Sequence, residues 1–192
     1  MTHPSNPSLH PGQVLRTREL YAWSANPTRL AQRLVREGRL QKLAHGLFVA
    51  PKRGRFGEVP PDLDSLLHAF LDGSPFVVTG PPLWNALGLG ATALWSQPLV
   101  YNTKRSGTFK LGGKSVRMRR VAFPEKSTAE WFVVDLLECL DSAGLSREEV
   151  LPRLMEAIQR GRLGRKRLRQ MASEFGTAST RAFLESALAE AH

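Results

Sequence analysis

Cysteine is almost absent. Cys139 is the one thiol in 192 residues, which excludes an internal disulfide framework and cannot hold a zinc ion by itself. It sits in an apolar helical stretch and reads as core. Long apolar runs are missing too. The most hydrophobic segment, Trp131–Leu137, is interrupted by Asp135 well short of the ~20 residues a membrane-spanning helix needs. The first residues lack a basic start followed by an apolar stretch, so no secretory leader is expected. These absences fit a cytoplasmic chain with no membrane partner.

The familiar catalytic patterns are also lacking. The histidines at positions 3, 10, 45, 68 and 192 do not cluster. Asp62 and Asp64 superficially resemble the paired carboxylates of a two-metal site. They follow Pro60-Pro61, however, and open an amphipathic helix, where acids suit the helix dipole. Glu125 and Lys126 are contiguous and no acid lies on the preceding hairpin, so the acid and acid-x-lysine arrangement of a restriction-type nuclease is not met. Ser65 and His68 are three apart on a helix without an orienting acid. Gly80–Gly90 contains no Gly-Lys-Ser/Thr, so it is not a phosphate-binding loop. The expectation is a protein that is not an enzyme and uses no cofactor or metal.

What the chain does have is positive charge. The formal net charge is +10, the sequence pI is about 10.6, and 42% of residues are apolar, enough for a folded core. The charge is not spread evenly. It is +7 over residues 1–60, −3 over 61–100, +7 over 101–126 and −1 over 127–192. Two separate basic blocks point to an extended contact with a polyanion.

The N-terminal block has a readable order. Residues 1–12 are rich in Pro, Ser, Asn and His and are expected to form a flexible arm. Thr17–Trp23 reads as a short helix and Ser24-Ala25 as a tight turn. A second helix starts at Asn26, a good N-cap, with Pro27 at the first helical position. Leu30, Leu34 and Val35 form its inward face, and Gly38 stops it. Arg39–Leu43 and Leu47–Ala50 read as strands joined at Ala44-His45-Gly46. Helix, turn, helix and hairpin in this order are the plan of a winged helix-turn-helix, spanning residues 13–58.

The outward face of the second helix then carries Thr28, Arg29, Gln32, Arg33 and Arg36 with no acid among them. Arg forks onto guanine, Gln onto adenine, and Thr meets a thymine methyl. Thr28, Arg29, Gln32 and Arg33 are candidates for base readout. Arg36, with Lys42 and His45 of the wing and Lys52, Arg53 and Arg55 beyond it, suits phosphate or minor-groove contact.

Residues 59–192 are expected to form a mixed α/β domain. Asp62–Asp72 reads as a helix, Phe76–Thr79 as a strand, Leu83–Leu87 as a short helix and Leu99–Thr103 as a strand. Thr108–Leu111 and Ser115–Ala122 flank Gly112-Gly113, a strong hairpin signal. A helical C-terminal tail follows, over about 128–143, 146–160, 164–174 and 178–190. The hairpin region holds a second basic patch: Lys104, Arg105, Lys110, Lys114, Arg117, Arg119 and Arg120. Arg160, Arg162, Arg165, Lys166, Arg167 and Arg169 form a further basic run with nearby acids. Trp23, Trp84, Trp95 and Trp131 read as core rather than as platforms for stacked bases.

The segment Arg29–Pro51, RLAQRLVREGRLQKLAHGLFVAP, resembles the N-terminal domain of the AbiEi-type antitoxins, regulators of type IV (abortive-infection) toxin–antitoxin systems. Its Arg-x-Gly-x-Leu helix end and Gly-Leu-Phe-x-x-Pro wing carry the likeness. Phe76–Leu83 (FVVTGPPL) and Leu87-Gly88-Leu89 are similar to the second segment of that group. The elements read above make an α+β protein; the resemblance implies that it represses its own operon by binding an inverted-repeat operator in double-stranded DNA, with Arg29, Gln32, Arg33 and Arg36 as recognition residues. It also implies opposition to a cognate nucleotidyltransferase-like toxin, without a necessary stable contact. An RNA-binding or ribonucleoprotein adaptor using the basic 104–120 hairpin is the alternative.

Overall fold

The structure is a computed structural model and describes residues 7–95 and 97–190. The chain is mixed α+β and divides into two compact units. The first comprises the chain up to Phe76 with Ser106–Arg117, and the second Val77–Arg105 with Met118 onward. The boundary expected at residue 58 therefore falls differently. The helix after Pro60-Pro61 and the Gly-Gly hairpin as far as Arg117 belong to the N-terminal unit, where the hairpin turn is hydrogen-bonded. Leu43 accepts the Gly112 N–H through its carbonyl at 3.2 Å.

In the first unit, strand β1 (Val14–Arg16) leads into a 3-10 helix, Thr17–Ala22. The short helix expected over Thr17–Trp23 is thus of the 3-10 kind. Only Leu20 of it is buried, so little tertiary packing supports a longer α-helical turn. Helix α1 (Pro27–Arg36) follows, then strands β2 (Gln41–Ala44) and β3 (Leu47–Val49). β3 is the centre of an antiparallel sheet in the order β1-β3-β2. Val14 pairs with Val49 on one side and Gln41 with Val49 on the other, and a bulge falls between Lys42 and Ala44. Leu15, Leu20, Leu30, Ala31, Leu34, Leu40, Phe48 and Ala50 form the core beneath α1.

The arm expected over residues 1–12 is in part docked. Met1–Asn6 lie outside the described residues. Pro7 is buried, and its carbonyl accepts from the Arg39 guanidinium at 2.6 Å. Gly12 N–H donates to the Ala50 carbonyl at 2.8 Å, extending the β1–β3 pairing.

Past Pro51 the chain forms a two-stranded ribbon, β4 (Lys52–Gly54) and β5 (Gly57–Val59), which was not anticipated. Helix α2 (Leu63–Phe70) is capped by Asp62, whose Oδ1 accepts the Ser65 N–H at 2.8 Å. Arg18 donates to the Asp72 carboxylate at 2.8 Å, tying the 3-10 helix to the end of α2.

The remaining strands are β6 (Phe76–Thr79), β7 (Leu99–Asn102), β8 (Gly107–Leu111) and β9 (Lys114–Arg120), in the order β6-β7-β9-β8. Gly112 and Gly113, at φ 56° and 83°, make the reversal between β8 and β9, as a primed two-residue turn requires.

The second unit is built on a helix buried almost all round. Helix α3 (Pro81–Ala86) precedes β7, and α4 (Ala129–Glu138), α5 (Leu140–Ala143), α6 (Arg147–Gln159), α7 (Arg165–Phe175) and α8 (Ala178–Glu190) close the chain. The helix expected over 128–143 is interrupted at Cys139, which separates α4 from α5. Trp131, Val133, Val134, Leu136 and Leu137 of α4 are buried in one cluster with Trp84, Tyr101, Leu154, Leu168 and Leu184. The two glutamates of α4 bind the backbone where two later helices start. Glu130 accepts from Gly164 N–H at 3.0 Å and Glu138 from Thr177 N–H at 2.7 Å, just ahead of α7 and α8. These bonds satisfy donors that open helices otherwise leave orphaned. No described helix is long and apolar enough to cross a membrane.

Candidate nucleic-acid interface

Helix α1 begins as its sequence dictates. Asn26 Oδ1 accepts from the Arg29 N–H at 3.0 Å, and Pro27 occupies the first turn. Pro27, Leu30, Ala31 and Leu34 are buried, a stripe at the 3.6-residue period. Val35 does not join it. It is 36% exposed, because one step of ~100° from Leu34 carries it off the buried stripe to border the groove beside Ala31 and Gln32.

Thr28, Arg29, Gln32, Arg33 and Arg36 are all exposed on α1. Arg33 and Arg36 also lie in its last turn, where cations suit the helix dipole. Two depressions flank the helix. One, of about 490 Å³, is bordered by Trp23, Asn26, Arg29, Arg33 and Arg36. The other, of about 790 Å³, runs between α1 and the β2–β3 hairpin and gathers Thr28, Gln32 and Arg36 with Lys42 and His45. Its floor is Ala31 and Phe48, with Val35 at one wall.

Lys52, Arg53 and Arg55 are exposed too, but on the β4–β5 ribbon. The second basic patch is divided between the two units. Lys110, Lys114 and Arg117 belong to the first, and Lys104, Arg105, Arg119 and Arg120 to the second. Buried Asn102 shapes the loop that carries Lys104 and Arg105. Its Oδ1 accepts both of their N–H groups, at 2.9 and 2.8 Å. The Arg119 guanidinium lies over the Tyr101 ring, 5.6 Å from its centroid. Two members of the later basic run are ion-paired within its own unit. Arg160 meets Glu156 at 2.9 Å, and Arg169 meets Glu185 at 3.1 Å.

One polar cluster was not foreseen. Asp135, 4% exposed, accepts from the Thr79 hydroxyl at 2.5 Å and from Trp84 Nε1 at 2.7 Å, both on Oδ2. Burial raises its carboxyl above the usual range, and the bonds from Thr79, Tyr101 and Trp84 oppose that rise. Tyr101 Oη lies 3.7 Å from Cys139 Sγ, and burial pushes both groups up as well. A thiol kept protonated is a poor nucleophile, so Cys139 packs as core. Asp62, in contrast, is held below the usual range by the Ser65 N–H and hydroxyl, as befits a cap.

The chain matches no family model, no curated protein and no solved structure. The likeness to the antitoxin regulators accordingly stands on the quoted residues alone.

Proposed function

We propose that this protein is a sequence-specific DNA-binding regulator in which the N-terminal unit acts as a winged helix-turn-helix. One observation carries the proposal. The exposed face of α1 holds three arginines, a glutamine and a threonine, and Lys42 and His45 border the groove beside it. A helix with this chemistry fits a major groove, and the β2–β3 hairpin is then the wing. Thr28, Arg29, Gln32 and Arg33 read base edges, while Arg36, Lys42 and His45 hold phosphates. No catalytic step is part of the proposal.

The narrower role rests on the resemblance at Arg29–Pro51 and Phe76–Leu89. On it, the protein represses its own toxin–antitoxin operon and counteracts a nucleotidyltransferase-like toxin. We place the RNA-adaptor reading second. Its basic 104–120 residues are split between the units, and Arg119 is engaged with Tyr101.

A gel-shift comparison tests the proposal. The DNA upstream of the gene is expected to bind more tightly than scrambled duplex or structured RNA, with a steep loss of affinity as salt rises. Equal affinity for all three ligands removes the regulator reading. A toxin-like reading frame beside the gene, whose product is lethal without this protein, is the expectation for the narrower role.

A further inference from the structure

The ribbon β4–β5 has no core of its own. Every residue from Lys52 to Pro60 is exposed, and a two-stranded ribbon without a packed face is marginal in water. Its strands pair Lys52 with Val59, Arg53 with Glu58 and Gly54 with Gly57, leaving Arg55 and Phe56 as the tip. The pairing is close. A Cβ at Gly54 would come 2.9 Å from Val59 Cγ2, and Gly57 takes φ 116° so that both tip residues keep ordinary backbone angles. Pro51 and Pro60-Pro61 bracket the element.

At this tip Phe56 is 96% exposed. A single exposed apolar residue on a packed surface carries no message. Phe56 instead tops a projecting ribbon, with the Arg55 guanidinium 5.7 Å from its ring centroid. Lys52 and Arg53 stand behind it, against one carboxylate, Glu58. The ribbon base shares a depression with Gly38 and Arg39, where the chain leaves α1. An aromatic ring set among cations, at the end of an arm, is the chemistry of an apolar wedge that enters a minor groove and partly unstacks a base step.

We propose that the ribbon is a second DNA-contacting element. Phe56 inserts between base pairs of a minor groove while Lys52, Arg53 and Arg55 engage the flanking phosphates. The step it selects is a deformable pyrimidine–purine step, where unstacking is least costly. This proposal rests on the DNA-binding reading above and adds a bend and a second groove to it.

The test uses the full chain and an end-labelled mixed-sequence duplex containing TA steps. Affinity is followed by anisotropy across a salt series, and bending by energy transfer between the ends. Wild-type protein brings the ends closer. Phe56→Ala keeps the wild-type melting temperature, weakens binding by about tenfold and abolishes the bend. It leaves the salt slope unchanged, because an apolar contact releases no counterions. Phe56→Leu retains the bend, and Arg55→Ala lowers the salt slope by about 1. If Phe56→Ala binds and bends like wild type while Arg33→Ala is weakened, the ribbon proposal is wrong and the DNA-binding reading stands. Wild-type protein that binds no duplex removes both. Phe56-dependent binding to vesicles containing phosphatidylserine, with no Phe56 dependence on duplex, makes the ribbon a lipid contact and overturns the proposal.

Discussion

The guanidinium of Arg33 lies 3.6 Å from the carboxylate of Glu37, one turn further along, and both side chains are nearly half exposed. A pair this wet contributes little to stability. It does hold a candidate base-reading side chain against the one acid at the end of α1. Replacing Glu37 by Gln is expected to change stability by less than about 0.5 kcal/mol. The same change should tighten DNA binding, roughly a few-fold, because a carboxylate near the phosphates is removed. Thermal melts and anisotropy titrations on the same preparations check both halves.

Arg33 and Arg36 should fail differently. Arg33→Ala is expected to cost about 1–3 kcal/mol on the preferred duplex and to relax discrimination at one base pair. Arg36→Ala should weaken all duplexes alike and lower the salt slope by about 1. Titrations of both variants on matched and single-mismatch duplexes distinguish a base contact from a phosphate contact.

These predictions lean on the part of the chain that was most legible. Asn26-Pro27 announced the start of α1, and the spacing of Leu30 and Leu34 announced its buried side. Gly112-Gly113 announced the β8–β9 turn. Other features depend on partners that local pattern cannot see. β1 is three residues long and exists because Val14–Arg16 pair with β3, more than thirty residues on. The β4–β5 ribbon shows no apolar alternation, so nothing in its sequence marks two paired strands. Asp135 read only as a break in an apolar run. Its partners Thr79 and Trp84 stand 56 and 51 residues away. The 3.6-residue spacing puts Val35 beside Leu34 on the inward face, but the stripe that is buried is Pro27, Leu30, Ala31 and Leu34.

The Asn26 cap should be measurable. Its side chain satisfies the Arg29 N–H, a donor with no partner inside the helix. Asn26→Ala is expected to lose about 1 kcal/mol of stability, and Asn26→Asp to keep most of it. Denaturant melts read the difference.

The buried carboxyl predicts a pH dependence. Burial raises Asp135 in the folded state, so the native protein holds this proton to higher pH than the unfolded chain does. The contribution is favourable below the ordinary carboxylate range and is lost as pH rises through the raised folded-state value. Asp135→Asn keeps an acceptor oxygen for Thr79 and Trp84 but cannot ionise. Its melting temperature should therefore improve relative to wild type as pH rises from acid to neutral. Asp62, Glu130 and Glu148 shift the opposite way, but they are common to both proteins and cancel in the difference. A difference that stays flat with pH, or shrinks as pH rises, contradicts this assignment.

The outward side of α1 is most directly tested by selection from a randomised duplex pool, sequenced before and after binding to wild type and to Arg33→Ala. Wild-type protein should enrich a single motif, and the variant should lose preference at one position of it while keeping the rest. Recovery of the starting pool by wild type, or an identical motif from both proteins, would contradict the assignment of α1 as the reading helix.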